Sequence, residues 1–289
     1  MLGKRTLCAV RLLVGLTVTI FILLIGGIVK NSPRQTFFEV SRTIARENLN
    51  LSTNQLSQMK TNHFVIKYNQ VDRKNAALVA HAAEEMYKPV TEWFGFSPPQ
   101  QTLVVMYSDS ASLAKSFGWD KNERAMGVYW AGSIRVLDPD EWITGEDKKT
   151  TFLKEGPMTH EFVHLLVDYK TNGNYPRWLT EGIAQYVEKR LTGFEFKSPV
   201  QYNSQPVKYY DVDTLEREFD NLDQSVAYWE SLKIAEMIVD KYGEEKLFTI
   251  LECLGKGYNI SQAFENSTGQ SFDSFLNDTY ASFNNQKIA

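Results

Sequence analysis

The sequence has few of the residues that build small cross-linked domains. Only two cysteines occur among 289 residues, Cys8 and Cys253. Because Cys8 lies inside an apolar run, the rest of the chain keeps one thiol and has no second cysteine with which to form an internal disulfide. This composition excludes a disulfide scaffold, so stability must come from packing or from a bound metal.

An excess of basic residues, the usual mark of a nucleic-acid-binding protein, is also absent. The formal net charge is −4, from 31 Lys and Arg against 35 Asp and Glu. Four of the basic residues and no acidic residue fall in positions 1–30, so positions 31–289 carry 27 basic against 35 acidic residues, a net charge of −8. Such a chain lacks the clustered Lys and Arg that bind phosphates, and we expect no nucleic-acid partner.

One long hydrophobic run is present, at residues 12–29. Its 18 residues carry no charge and just reach the length of a helix that crosses a bilayer. Lys4, Arg5 and Arg11 precede the run, and no small-x-small cleavage site follows it directly. The pattern favours an uncleaved transmembrane signal-anchor over a cleaved secretory signal. Residues 1–11 are then a short cytoplasmic tail.

The orientation of this segment is predicted from its place in the chain. Lysines and arginines flank both ends of the run, so the positive-inside rule alone does not decide the orientation. We take the first apolar segment as an export signal. This predicts a single-pass protein of the cell membrane whose large domain is extracytoplasmic.

Residues 30–62 are predicted to be a stalk or linker between the anchor and the domain. Phe37, Phe38, Val40 and Ile44 recur at helical spacing near several arginines. This spacing fits a short amphipathic helix at the membrane surface. It also fits a solvated spacer or a helix packed on the domain. We favour these two alternatives over a helix at the membrane surface. The polar residues 48–62 are predicted to be linker, and one domain is predicted over residues 63–289.

From residue 63 onward the pattern indicates an α+β fold. Strand-like runs lie at residues 63–68, 102–107, 127–130 and 134–137. Helical patterns lie at residues 73–94, 160–169 and 177–190 and in five further segments between residues 212 and 283.

The chemistry is concentrated in residues 160–164, which read His-Glu-Phe-Val-His. Residues four apart share a face of a helix, so the imidazoles of His160 and His164 can converge on one metal ion. Glu161 points to the adjacent edge, where it can reach a water molecule on that ion. Only four histidines occur in the chain, and two of them lie in this motif. The arrangement is typical of zinc metallopeptidases.

A catalytic zinc site takes three protein ligands and one water, so a third ligand is needed. The best candidate is Glu181, seventeen residues after His164 on the next predicted helix. A helix, a short turn and a second helix return the chain antiparallel, which brings Glu181 opposite the histidines. His63 opens a strand and His81 lies on an amphipathic helix, so both are interpreted as structural.

These motifs carry a family resemblance. HEFVH followed by WLTEGIA resembles the gluzincins, the thermolysin-like zinc metallopeptidases, and the second motif is similar to the WLNEGFA of membrane alanyl aminopeptidases. The chain is more similar to the small peptidase MA-like domain, over roughly residues 63–283. The resemblance implies an α+β, thermolysin-like zincin domain, with a small mixed sheet over the HExxH helix and a helical C-terminal half.

The resemblance also implies a role for each motif residue. His160, His164 and Glu181 are the expected ligands of one catalytic Zn²⁺, and Glu161 is the expected general base and later proton donor.

An oxyanion donor, usually a tyrosine or a histidine, completes the family pattern. No histidine follows His164, so a tyrosine is expected. Tyr228, near the start of a predicted helix, is the first choice, and Tyr209 or Tyr210 come next. The alternative is that Tyr228 only packs.

Two departures from the gluzincin pattern are informative. Aminopeptidases hold the substrate amine with a glutamate of a GAMEN-like segment, whereas residues 125–132 read AMGVYWAG, without an acid. This difference favours an endopeptidase. The segment is either an edge strand that pairs with an extended peptide or a hairpin that closes the core. Thermolysin-like enzymes also place an aspartate four residues after the glutamate ligand, where this chain has Gln185.

The combined prediction is a membrane-anchored, extracytoplasmic zinc endopeptidase that hydrolyses peptides or proteins. The alternative is a catalytically inert, zinc-stabilised surface protein that binds peptides or cell-wall material. Hydrolysis of unfolded proteins that is lost in Glu161→Gln, with zinc retained, separates the two.

Overall fold

The computed structural model of the chain describes residues 33–120, 125–196 and 208–285. The predicted cytoplasmic tail and anchor, residues 1–11 and 12–29, lie outside the described residues. Among the helices that are described, none combines the length and the apolar character that crossing a bilayer requires. The single-pass topology stays a prediction.

The described residues form a small sheet and a larger number of helices, in agreement with the predicted α+β class. The strands are β1 (Ser57–Lys60), β2 (Phe64–Tyr68), β3 (Thr102–Tyr107), β4 (Gly127–Trp130) and β5 (Ser133–Leu137). The helices are α1 (Pro33–Ser52), α2 (Arg73–Phe94), α3 (Ser110–Phe117), α4 (Lys148–Glu155), α5 (Met158–Thr171), α6 (Arg177–Thr192), α7 (Val212–Glu218), α8 (Gln224–Tyr242), α9 (Glu244–Gly255), α10 (Ile260–Thr268) and α11 (Phe272–Asn285).

The five strands form one mixed sheet in the order β1-β2-β3-β5-β4. The central strands β2, β3 and β5 run parallel, and the outer strands β1 and β4 pair antiparallel with their neighbours. Strand β4 is therefore an edge strand, joined to β5 by the predicted hairpin. This edge of the sheet contacts α5, the helix that carries the HEFVH motif.

The central strand β3 is buried on both faces. Val104 and Met106 belong to the main core, which also contains side chains of α2 and α5. Leu103 and Val105 pack with Leu49 of α1 on the opposite face. Because both faces are covered, the strand reads as a continuous hydrophobic run and shows no alternation.

The N-terminal part of the described chain differs from the predicted stalk. Residues 48–62, predicted to be linker, contain the end of α1 and strand β1, which pairs antiparallel with β2. The sequence of β1 reads as polar because the strand lies at a sheet edge, where alternate side chains are exposed. Helix α1 packs on the sheet, so of the two favoured alternatives, a solvated spacer and a helix packed on the domain, the structure has the packed helix. The folded chain therefore extends N-terminal to residue 63, as far as Pro33.

Helices α5 and α6 are joined by a short turn, and α8 packs closely against α6. At Gly182 of α6, an added β-carbon would lie 2.2 Å from the carbonyl oxygen of Ser231 on α8, so only glycine permits this approach. The side-chain amide of Gln185 donates to the carbonyl oxygen of Tyr228 at 2.8 Å. These contacts bring the first turns of α8 to the motif residues of α6.

Helix α8 also carries a fully buried carboxyl group, Glu230. Its oxygens accept hydrogen bonds from the backbone N–H of Tyr210 at 3.0 and 3.1 Å. Burial raises the pKa of Glu230 to about 8, although the Tyr210 hydrogen bond lowers it. The folded chain therefore binds this proton more tightly than the unfolded chain does, and losing the proton destabilises the fold.

We expect this group to make the free energy of unfolding fall as the pH rises from about 5 to about 8, by up to about 1.4 kcal/mol per pH unit. Glu230→Gln stays neutral throughout, so it should weaken this pH dependence and raise the Tm at pH 8 relative to the wild type. Thermal unfolding of both proteins at pH 5.5 and pH 8 measures the effect.

Glu236→Gln, on the same helix, is the matched control. Burial raises the pKa of Glu236, but hydrogen bonds from Lys189 and Lys233 outweigh burial and lower it, so this carboxylate is charged at both pH values. A Tm difference between Glu230→Gln and wild type that is the same at pH 5.5 and pH 8 would contradict a protonated Glu230.

Candidate active site

Three side chains of α5 and α6 converge on one buried point. The imidazole Nε2 atoms of His160 and His164 lie 3.2 and 3.4 Å from the same carboxylate oxygen of Glu181, Oε2. One ligand atom from each residue lies within 4.8 Å of the others, and all three residues are buried. The structure therefore brings together the three residues that the motifs predicted as metal ligands.

Local sequence explains this convergence. Helix α5 begins after Pro157, and the four-residue spacing of its histidines places both rings on one face. The helix ends at Thr171, and Asn172 after it adopts the left-handed conformation that a tight C-terminal turn needs. Pro176 then starts α6, so Glu181 is presented in its second turn, opposite the histidines.

The outer nitrogen of each imidazole has its own partner. His160 Nδ1 lies 3.2 Å from the carboxylate of Glu188, and His164 Nδ1 lies 2.7 Å from the hydroxyl of Thr180. Such contacts fix the orientation of a ring and leave its Nε2 pointing to the shared space. Two imidazole nitrogens and one carboxylate oxygen form a donor set that Zn²⁺ takes in catalytic sites, so the residues fit this metal.

The charges of the cluster favour a positive ion between the carboxylates. Burial alone would raise the pKa of Glu181, yet the two imidazoles lower it well below its ordinary value. Burial would likewise lower the pKa of His160, but hydrogen bonds to Glu181 and Glu188 raise it well above the ordinary range. The carboxylates therefore favour the protonated form of His160, and the same negative charges would stabilise a metal cation at this point.

The second oxygen of Glu181 is held by an arginine of its own helix. Arg177 Nε donates to Glu181 Oε1 at 2.8 Å, and the same guanidinium pairs with Asp220 at 3.1 Å. Glu181 Oε1 is therefore engaged, and Oε2 faces the histidines. The carboxylate is oriented to offer one oxygen to the shared point.

Glu161 lies beside the cluster and is buried. Its Oε2 accepts a hydrogen bond from the backbone N–H of Tyr129 in the edge strand β4, at 2.6 Å. At Gly127 an added β-carbon would come within 2.8 Å of the Glu161 side chain, which explains a glycine at the start of β4. Burial raises the pKa of Glu161, although His164 and His160 lower it. A carboxylate with a raised pKa is a better proton acceptor.

Of the three candidate tyrosines, Tyr228 is the one at the cluster. Its hydroxyl lies beside Arg177, and burial followed by the charge of Glu181 raises the pKa of Tyr228 above its ordinary value. Tyr209 instead stacks on Trp229, with ring centroids 5.4 Å apart. The hydroxyl of Tyr210 accepts from the backbone N–H of Asp223.

The two remaining histidines lie apart from the metal-ligand cluster, as predicted. His63 Nδ1 contacts Glu84 at 2.7 Å and its ring stacks on Tyr87. His81 Nδ1 lies 4.0 Å from Glu85 on the surface of α2.

Several residues of the site were not predicted from sequence. Glu188 is the carboxylate partner of His160, a role that the family pattern led us to seek at position 185. The sequence signal for Glu188 is its spacing of seven residues from Glu181, which places both side chains on the same helix face. Arg177 and Thr180 precede Glu181 by four residues and one residue on the same helix. Tyr175, in the turn before α6, is partly buried, and this burial, followed by the charge of Asp168, raises the pKa of Tyr175.

No curated protein matches the chain. A family model described as the peptidase MA superfamily matches residues 91–285, which include helices α5 and α6 with all the motif residues. This match covers more than half of the chain. The chain therefore belongs to the peptidase MA superfamily.

Proposed function

We propose that the protein is a zinc-dependent metallopeptidase of the gluzincin type, an endopeptidase with one catalytic zinc. The observation that carries this proposal is Glu161, a buried carboxylate held beside the cluster of His160, His164 and Glu181. A structural zinc site needs no such base, whereas water-mediated hydrolysis does.

Each residue then has a defined task. His160, His164 and Glu181 would hold the zinc, and Glu188, Thr180 and Arg177 would orient them. When bound, zinc lowers the pKa of a water molecule and polarises the substrate carbonyl. Glu161 accepts the proton of the attacking water and later delivers it to the leaving amine.

We assign Tyr228 as the donor that stabilises the developing oxyanion. Its position beside Arg177 and Glu181 and its raised pKa support this role, because the hydroxyl stays protonated and able to donate. Tyr228→Phe should lower kcat about 10²- to 10³-fold, with zinc content unchanged. Steady-state kinetics with a quenched-fluorescence peptide measures this change. Tyr210→Phe is the matched control, and an unaltered kcat in Tyr228→Phe would discard the assignment.

Glu188 gives a separate test of the metal site. Glu188→Gln removes the charged partner of His160 Nδ1 and should weaken zinc binding about 10- to 100-fold. Competition with a chromophoric chelator measures the Kd. Glu195→Gln is the matched control, because the Glu195 carboxylate contacts Lys189 at the surface. This variant should leave the zinc Kd unchanged. Equal zinc affinity in Glu188→Gln and wild type would contradict the role of Glu188.

The endopeptidase assignment rests on strand β4 and the segment around it. Residues 125–132 contain no acid to bind a free amine, and within the part of the chain that the structure describes β4 has one strand partner, β5. The other side carries the Tyr129 N–H that donates to Glu161, and an extended peptide can pair with its remaining backbone groups. Internal cleavage of substrates with blocked termini, identified by mass spectrometry, tests this choice. Cleavage confined to substrates with a free N-terminus would point to an aminopeptidase.

The activity itself is tested with zinc-loaded protein and a panel of unfolded proteins. The proposal expects cleavage that a chelator stops and added zinc restores. Zinc binding without any cleavage would favour the alternative, an inert zinc-stabilised surface protein that binds peptides or cell-wall material.

The cellular location is also proposed. The apolar run at residues 12–29 would anchor the protein in the cell membrane, with residues 1–11 as the cytoplasmic tail and the domain outside. Protease treatment of intact cells should then digest the domain. Protection until the cells are lysed would contradict this orientation.

A further inference from the structure

A buried arginine of α1 reaches the helix that carries the metal ligands. Arg42 is 6% exposed, and its Nη1 lies 3.0 Å from Asp168 Oδ2, with a second contact to the Asp168 carbonyl at 3.4 Å. The guanidinium also lies 4.4 Å above the ring of Tyr169. Asp168 is one turn beyond His164 on α5, so this ion pair joins α1 to the motif helix.

Asp168 is joined in turn to the edge strand. The same Oδ2 atom accepts a hydrogen bond from the hydroxyl of Tyr129 at 2.7 Å, and the backbone N–H of Tyr129 donates to Glu161 at 2.6 Å. One residue of β4 is therefore fixed by its side chain and by its backbone to two carboxylates of α5, seven residues apart. The Tyr129 hydroxyl also accepts from the backbone N–H of Gly132 in the hairpin turn.

Helix α1 packs over both turns that border this network. The side chain of Arg42 lies beside Gly132, where an added β-carbon would be 3.4 Å away. The ring of Phe38 lies over Gly173, in the turn between α5 and α6, where an added β-carbon would be 2.4 Å from the ring. Helix α1 therefore bridges the β4–β5 hairpin and the turn that leads to Glu181.

We propose that Arg42, Asp168 and Tyr129 are positioning residues that hold β4 and Glu161 in register with the metal ligands. This inference rests on the proposed peptidase function. It gives Arg42 of α1, a helix that lies outside the family match at residues 91–285, a role in positioning the catalytic residues.

The chemistry of the network supports positioning over simple packing. Apolar side chains of similar size often replace a buried ion pair without loss of stability, whereas an ion pair sets one geometry. Burial, followed by the charge of Asp168, raises the pKa of Tyr129 well above its ordinary value, so its hydroxyl stays a donor. Asp168 thus receives one bond from α1 and one from β4, in a fixed arrangement.

The test uses two variants of the full chain, Tyr129→Phe and Arg42→Met. Tyr129→Phe keeps the ring and the backbone N–H that reaches Glu161, and loses the two bonds of the hydroxyl, to Asp168 and from the Gly132 N–H. We expect kcat to fall about 10- to 100-fold in each variant, because small displacements of a catalytic group have effects of this size. The zinc Kd should stay within about threefold of the wild type, because the metal ligands and their partners are unaltered. Arg42→Lys, which keeps the charge, should recover part of the loss.

A second readout does not depend on activity. Amide hydrogen exchange of β4 in the metal-free protein should speed up about tenfold in Tyr129→Phe, because the strand loses a tie to α5. Arg46→Met is the matched control. Arg46 lies one turn from Arg42 on the same helix and donates to the carbonyl of Gln101, so both readouts should match the wild type.

The outcomes separate the two proposals. Folded Tyr129→Phe with wild-type kcat and wild-type exchange in β4 would overturn the positioning role, whether or not Arg42→Met folds. A wild-type protein that binds zinc and cleaves nothing would overturn the peptidase function. If the wild type is inactive, faster exchange of β4 in Tyr129→Phe than in the wild type would still show that the hydroxyl ties β4 to α5. The proposed role of these contacts in catalysis would be overturned.

Discussion

Glu161→Gln is expected to lower peptide hydrolysis about 10³-fold or more while zinc stays bound. The amide has the size of the carboxylate and can still accept the hydrogen bond from the Tyr129 backbone N–H, so the fold should be preserved. It cannot take a proton from the attacking water, and a positioned base contributes about 10² to 10⁴ to rate. Because the base acts in the transition state, the loss should fall on kcat more than on KM.

The measurement pairs steady-state kinetics with zinc content for the same samples. Glu85→Gln is a suitable control, because Glu85 is an exposed residue of α2 whose nearest ionic partner is His81. Residual activity within tenfold of the wild type in zinc-loaded Glu161→Gln would show that another group is the base. Loss of zinc together with activity would leave Glu161 with a metal-binding role instead.

His164→Ala is expected to abolish tight zinc binding and, with it, activity. The substitution leaves two of the three converging ligand atoms. A catalytic zinc needs three protein ligands. We expect the zinc Kd to rise by more than the 10- to 100-fold that follows loss of a residue supporting a ligand. Competition with a chelator of known affinity measures the change.

His81→Ala is the control for His164→Ala. Both replace a histidine on a helix, but the His81 side chain is 41% exposed and lies outside the metal cluster. Stoichiometric zinc with wild-type affinity in His164→Ala would mean that zinc binds elsewhere in the chain. Weakened zinc binding in both variants would indicate a general loss of fold.

The convergence of the three metal-ligand residues could be predicted because its determinants are local. Helix periodicity alone places His160 and His164 on one face, and a helix-turn-helix return brings Glu181 opposite them. The structure has helices α5 and α6 within two residues of the predicted bounds at each end. The resemblance implied membership of the peptidase MA superfamily, and the family match over residues 91–285 confirms it.

Elements that depend on capping or on distant partners were harder to predict. The eight-residue helices α3 and α4 are too short for a clear periodic pattern, and each begins where an aspartate side chain accepts from a backbone N–H, Asp109 from Ser112 and Asp147 from Thr150. Strand β1 is polar and depends on its pairing with β2. A sequence pattern shows neither effect well.

The supporting contacts of the site could not be predicted for a similar reason. Arg42 and Asp168 are 126 positions apart in the chain, and no periodicity links them. Glu188 was missed because the family pattern directed attention to position 185, and the helix offers the same face again one turn later. Polar partners of this kind are decided by tertiary packing, which a single sequence does not reveal.

A crystal structure of the zinc-loaded protein, with anomalous scattering recorded at the zinc edge, tests the central claim most directly. The catalytic zinc site predicts one ion about 2.0 to 2.2 Å from His160 Nε2, His164 Nε2 and Glu181 Oε2, with a fourth position open to water beside Glu161. Zinc bound away from these atoms would contradict the claim, and so would a fourth protein ligand in the position expected to be open, as in a structural site.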